Sequence, residues 1–129
     1  MDQKFKLSHR RILVVEDEFF IAEELQCLLQ DAGMTVVGPV GNLTQALTVA
    51  QNSEFELALL DVNLSGHYVY PLAAKLEERN ILFIFMIGYG RAGLPPECAA
   101  RPCLAKLFNV KSLLSLIETT MFPTSSASA

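Results

Sequence analysis

Tryptophan is absent from this chain of 129 residues, histidine occurs only twice and cysteine three times, and each scarcity removes a class of chemistry. Cys27, Cys98 and Cys103 are odd in number and widely spaced, with no CxxC pair. They argue against a disulfide framework and for reduced core thiols in a cytoplasmic protein. His9 and His67 have no second histidine or cysteine at metal-ligand spacing, so they read as solvated loop residues. No Gly-x-Ser-x-Gly elbow occurs, which removes a serine hydrolase of that type. No apolar run approaches the roughly twenty residues of a membrane span, and the polar first ten residues carry no signal-peptide pattern. Positive charge is in deficit: the formal net charge of -4 argues against nucleic acid as the main partner. Lys4, Lys6, Arg10 and Arg11 make a small basic start, read as a solvated arm over residues 1–10.

What remains is apolar. Hydrophobic residues make up 51% of the chain and charged ones 19%, enough for one well-packed domain over residues 11–122 and a disordered small-residue tail over 123–129. The apolar residues come in two alternating patterns. Ile12-Leu13-Val14-Val15, Met34-Thr35-Val36-Val37-Gly38, Leu57-Ala58-Leu59-Leu60, the run from Ile81 to Ile87, and Pro102-Cys103-Leu104-Ala105 read as five strands. The first and third are continuous enough to be buried on both faces, and Pro39 closes the second. Between them lie helical stripes: Ile21, Leu25, Leu28, Leu29 and Ala32; Leu43, Ala46, Leu47 and Ala50 behind a capping Asn42; Leu72, Ala73 and Leu76 behind Pro71. A short fourth helix is expected near Pro95 or Pro96, and a last one carries Val110, Leu113, Leu114, Ile117 and Met121, ended by Pro123.

Strands alternating with helices imply a flavodoxin-like α/β fold: a doubly wound five-stranded parallel sheet with helices on both faces, in the order 2-1-3-4-5. In that order the switch point lies between strands one and three, where ligands bind at the carboxyl ends. Strand one ends in Glu16-Asp17-Glu18, and strand three ends in Asp61. Taken alone, Asp61 fits a cap of the next segment as well as a site. The acids after strand one turn the balance, because the fold brings Glu16, Asp17 and Asp61 into one crevice. Carboxylates so close repel one another unless a cation intervenes. A hard divalent ion such as Mg²⁺ suits all-oxygen ligands, and Lys106 after strand five adds an ammonium at the same edge. An acid cluster with a metal, a lysine and a further carboxylate can support phosphoryl transfer to that carboxylate. Gly88-Tyr89-Gly90-Arg91-Ala92-Gly93 matches GxGxxG after a strand, but Pro95 and Pro96 forbid the long helix a dinucleotide site needs.

These residues resemble the receiver domain of two-component response regulators over about residues 11–120: Val14-Val15-Glu16-Asp17-Glu18, Leu59-Leu60-Asp61-Val62-Asn63-Leu64-Ser65-Gly66, and Lys106. Phe85-Met86-Ile87-Gly88-Tyr89 further resembles a stand-alone, CheY-like subgroup that carries Phe-Ala-Thr-Gly-Tyr there and has no DNA-binding output domain. The resemblance implies Asp61 as phosphoacceptor and Asp17 as a direct Mg²⁺ ligand, with Glu16 acting through water. It implies the Asn63 carbonyl as a further ligand and Lys106 as the contact to the phosphoryl oxygens. The donor would be a histidine kinase or a histidine phosphotransfer protein. The expected role is therefore signalling and not enzymatic turnover, with neither nucleic acid nor membrane as partner and homodimerisation left open.

Three positions depart from the pattern. Ile87 replaces the Thr or Ser whose hydroxyl binds the phosphoryl group, Cys103 replaces the aromatic that swings inward, and Leu107 replaces the proline after the lysine. A trans bond or visible strain is expected at Lys106-Leu107. With both ends of that switch missing, output could pass through Tyr89, flanked by Gly88 and Gly90. Tyr68 and Tyr70 are read as loop packing beside the site. The rival reading is a pseudo-receiver, the same fold serving as an interaction or dimerisation module. A Mg²⁺-dependent aspartyl-phosphate phosphatase is disfavoured by Asn63, where a second Asp would act as general acid.

Overall fold

The computed structural model describes residues 6–88, 102–106 and 108–123. Residues 124–129 of the tail, the expected helix near Pro95, the Gly-rich stretch from Tyr89, Cys98 and Leu107 lie outside the described residues. The strands β1 (Arg11–Val15), β2 (Thr35–Val40), β3 (Leu57–Asp61), β6 (Leu82–Ile87) and β7 (Cys103–Ala105) form one parallel sheet in the order β2-β1-β3-β6-β7. That is the expected 2-1-3-4-5 order. Between the third and fourth of its strands in the chain lies a small antiparallel ladder, β4 (Asn63–Leu64) with β5 (His67–Tyr68), where the sequence predicts only a loop. The helices are α1 (Phe19–Asp31), α2 (Leu43–Asn52), α3 (Tyr70–Glu78) and α4 (Val110–Met121).

The central strand β3 is buried at every position: β1 and β6 pair with its two edges, and a packed cluster covers each of its faces. Successive strand residues point to opposite faces, and the core divides accordingly. One cluster joins Leu13, Val15, Ala58, Leu60, Phe83 and Phe85 to Ala46 and Ala50 of α2 and Leu72 and Leu76 of α3. The other joins Ile12, Val14, Leu57, Leu59, Ile84 and Met86 to Leu25 and Leu29 of α1 and Leu113 and Ile117 of α4. Asn42 caps α2 as expected, accepting the Gln45 amide at 2.8 Å, and Pro71 sits in the first turn of α3, where no N–H is required.

Four expectations need correcting. Pro39 does not end β2, which runs on to Val40. Leu13 pairs with Val37 but Val15 with Val40, so three residues of β2 span two of β1, and the bulge on this edge strand absorbs the proline. Gly38 makes the bulge feasible, with φ +93° and space so tight that a Cβ would lie 2.9 Å from the Val40 nitrogen. The supposed solvated arm is packed from Lys6 onward: Leu7 is fully buried in the second cluster, Lys6 pairs with Glu118 at 3.1 Å, and the Arg10 guanidinium lies over the Phe122 ring. Cys27 is exposed on the outer side of α1, not in the core. Val110, at the first position of α4, is likewise exposed.

Candidate functional site

The carboxyl ends of β1, β3 and β7 meet at the switch point, so residues far apart in sequence share one crevice. Pairing of β1 with β3 stops at Val15 and Leu60, so Glu16 and Asp61 emerge side by side. The β2 bulge lets the Val40 carbonyl accept the Glu16 amide at 2.9 Å, which fixes the turn into Asp17. Lys106 is held by its own amide, which donates to the Ile87 carbonyl at 2.8 Å and extends the β6–β7 pairing by one residue. Ligand oxygens of Glu16, Asp17 and Asp61 all lie within 4.8 Å of one another. The Lys106 Nζ donates to Asp61 Oδ2 at 3.0 Å and to Glu16 Oε2 at 3.2 Å.

Two of these acids are almost completely buried, Glu16 at 2% and Asp61 at 3% exposure. Burial pushes the Asp61 carboxyl up to about 7, and the neighbouring Glu16 adds to the rise against the opposing pull of Lys106. Asp17 is lowered instead: its partial burial is outweighed by hydrogen bonds from Ser65 and Asp61. Burial disfavours the Lys106 ammonium, but its contacts with Asp61 and Glu16 win and raise its pKa. Glu16 Oε2 accepts from Lys106 and from the Glu18 amide, whereas the buried Oε1 has no hydrogen-bond partner among the described residues. An unmatched carboxylate oxygen beside two more carboxylates is the donor set of a hard divalent cation, so the residues present fit Mg²⁺.

Asn63, the next candidate, lies directly beside Asp61. Its amide donates to Asp61 Oδ1 at 3.3 Å and its side-chain oxygen accepts the Gly66 amide at 2.7 Å. Ile87 is buried in the first core cluster and Cys103 is half-buried against that cluster, whereas Tyr89 lies outside the described residues. Tyr68 and Tyr70 stack with their ring centroids 5.7 Å apart and their planes nearly parallel, and Tyr70 meets Phe85 edge-on. His9 and His67 are exposed. Sequence reasoning missed Ser65, whose hydroxyl donates to Asp17 Oδ2 at 2.5 Å. The only available signal was a Ser-Gly pair just after the Asp61 segment.

A parallel sheet in this order, with three acids and a lysine at its switch point, defines a CheY-like receiver of two-component signalling. The model of the response regulator receiver domain matches residues 12–118, and the chain belongs to that family. Among solved structures it is similar to SdrG from Sphingomonas melonis Fr1, with 30% identity and a TM-score of 0.79 over 93% of this chain and 98% of that one. A BeF3-activated conformation of SdrG from Pseudomonas melonis Fr1 is 33% identical, with a TM-score of 0.74 over 85% of this chain and 97% of that one. Among curated proteins it is similar to the transcriptional regulatory protein PdtaR of Mycobacterium tuberculosis, 25% identical over 84% of this chain and 55% of that protein. The chain thus spans about half the length of the curated relatives it matches. No helix among the described residues is long and apolar enough to cross a membrane.

Proposed function

We propose that the chain is a receiver that takes a phosphoryl group on Asp61 from a histidine kinase or a histidine phosphotransfer protein in the cytoplasm. The observation that carries this reading is the position of Asp61: buried at a strand end, within 4.8 Å of two further acids and 3.0 Å from an ammonium. In the transfer, the P–N bond of a phosphohistidine breaks with its electron pair going to the imidazole. A P–O bond forms to a carboxylate oxygen of Asp61. Asp61 must be ionised to attack, and Lys106 favours that state while offering N–H donors to the phosphoryl oxygens. Asp17 and Asp61 would hold Mg²⁺ directly, Glu16 through water and Asn63 through its carbonyl. The bound ion supplies positive charge to the oxygens of the group being transferred.

The two core clusters support a doubly wound sheet with helices on both faces, and residues 11–122 make the receiver, extended at its start by the packed Leu7. The Phe85-to-Tyr89 segment supports placement in the stand-alone subgroup with the Phe-Ala-Thr-Gly-Tyr pattern, although Ile87 brings a buried hydrocarbon where that pattern has a hydroxyl. That burial favours weak coupling between phosphate and β6, since Ile87 has no donor to offer a phosphoryl oxygen.

The test is an amide NMR titration with Mg²⁺ and then beryllofluoride, on the wild type and on Asp61→Asn. Shifts around Glu16, Asp17, Asp61 and Lys106 that are lost in the variant support the phosphoacceptor. No response to either ligand sinks it and leaves the pseudo-receiver, a phosphate-independent interaction or dimerisation module.

A further inference from the structure

We infer that Ser65 is a positioning residue for the cation site: its hydroxyl holds the Asp17 carboxylate in the orientation that a divalent cation requires. The inference rests on the proposed Mg²⁺ reading of the acid cluster. Ser65 and Gly66 are the two turn residues joining β4 to β5, where Leu64 pairs with His67. Both have positive φ, +53° at Ser65 and +94° at Gly66, as the twist of a two-residue hairpin of this kind requires. Asn, Asp and Gly are the residues that take the first of these positions at little cost, and serine has no such advantage. Local conformation therefore does not explain a serine here.

A contact 48 positions away does. Ser65 Oγ donates to Asp17 Oδ2 at 2.5 Å, so the hairpin that follows Asp61 is tied to the acid that follows β1. The turn is itself braced by Asn63, whose side chain accepts the Gly66 amide, while the Asn63 amide donates to Asp61. One four-residue segment thus touches two of the three acids. The hydroxyl fixes the rotation of the Asp17 carboxylate, which keeps lone pairs for a ligand. Across the crevice the buried Glu16 Oε1, without a hydrogen-bond partner among the described residues, marks an unfilled acceptor position independently of Ser65. Hydrogen bonds from outside the ligand set commonly orient a metal-binding carboxylate, and losing one costs about 10- to 100-fold in metal affinity.

The experiment is calorimetric titration of the metal-free protein with MgCl₂ at constant ionic strength, on wild type, Ser65→Ala, Ser65→Gly and Asp17→Asn, with urea unfolding of each in EDTA. Glycine suits the positive φ better than serine, so Ser65→Gly leaves stability unchanged or raises it. Both Ser65 variants are expected to bind Mg²⁺ about 10-fold more weakly than wild type despite this difference in stability. If they bind as tightly as wild type while Asp17→Asn loses binding, the cation site stands and the role of Ser65 is refuted. If affinity merely follows stability, with Ser65→Gly binding at least as tightly as wild type, Ser65 serves the turn alone and the inference fails. Absence of Mg²⁺ binding by the wild type overturns the cation site, and the inference with it.

Discussion

Replacing Asp61 by asparagine is expected to stabilise the metal-free protein, and to do so more at high pH than at low. The buried Asp61 carboxyl titrates near 7 in the fold against an ordinary value of 3.8, because burial and the adjacent Glu16 disfavour its charge. The folded state therefore binds an extra proton between these values. Stability associated with this group is fully present below 3.8 and is lost as pH rises through about 7. A displacement of this size corresponds to about 4 kcal/mol at most, and solvent screening in the open crevice reduces it to about 2 kcal/mol. Asparagine has the shape of the protonated acid and no charge. Lys106 keeps its contact with Glu16 at 3.2 Å in the variant. Urea unfolding in EDTA should show Asp61→Asn more stable than wild type by under about 1 kcal/mol at pH 5 and by about 2 kcal/mol at pH 8. The m-values should be equal, so that midpoints report stability. An advantage that does not grow with pH would refute the reasoning, since Lys106 would then compensate the Asp61 charge fully.

Truncating Lys106 should have the opposite effect. Lys106→Ala leaves Glu16 and Asp61 buried without their counter-charge and should destabilise the metal-free protein by about 3 kcal/mol at pH 8. The loss should be smaller at pH 5, where Asp61 is protonated; the same unfolding experiment at both pH values checks this. Leu7→Ala should cost about 2 to 4 kcal/mol in thermal or urea unfolding, because Leu7 is fully buried against the second cluster. A loss below about 0.5 kcal/mol would restore the solvated arm.

The composition and periodicity of the chain determined the fold. Continuous apolar runs such as Leu57 to Leu60 can be satisfied only by a strand covered on both faces, and helical stripes between them dictate parallel crossovers. With that order, the convergence of Glu16, Asp17, Asp61 and Lys106 followed, because the carboxyl ends of a doubly wound sheet meet at its switch point. What only the tertiary structure decided has a common cause in long-range packing. Leu7 looks like part of a basic arm until the second cluster offers it a pocket, and Pro39 looks like a strand end until a bulge on an edge strand accommodates it. Cys27 sits at an apolar-looking helical position whose angle on α1 happens to face water. Ser65 looks like an ordinary turn residue, since no local pattern records that its hydroxyl reaches an acid on another strand. Local sequence carries the periods that choose an element and its buried face. It does not carry the distances between elements, and on those distances depend both the titration of Asp61 near neutrality and the partner of Ser65.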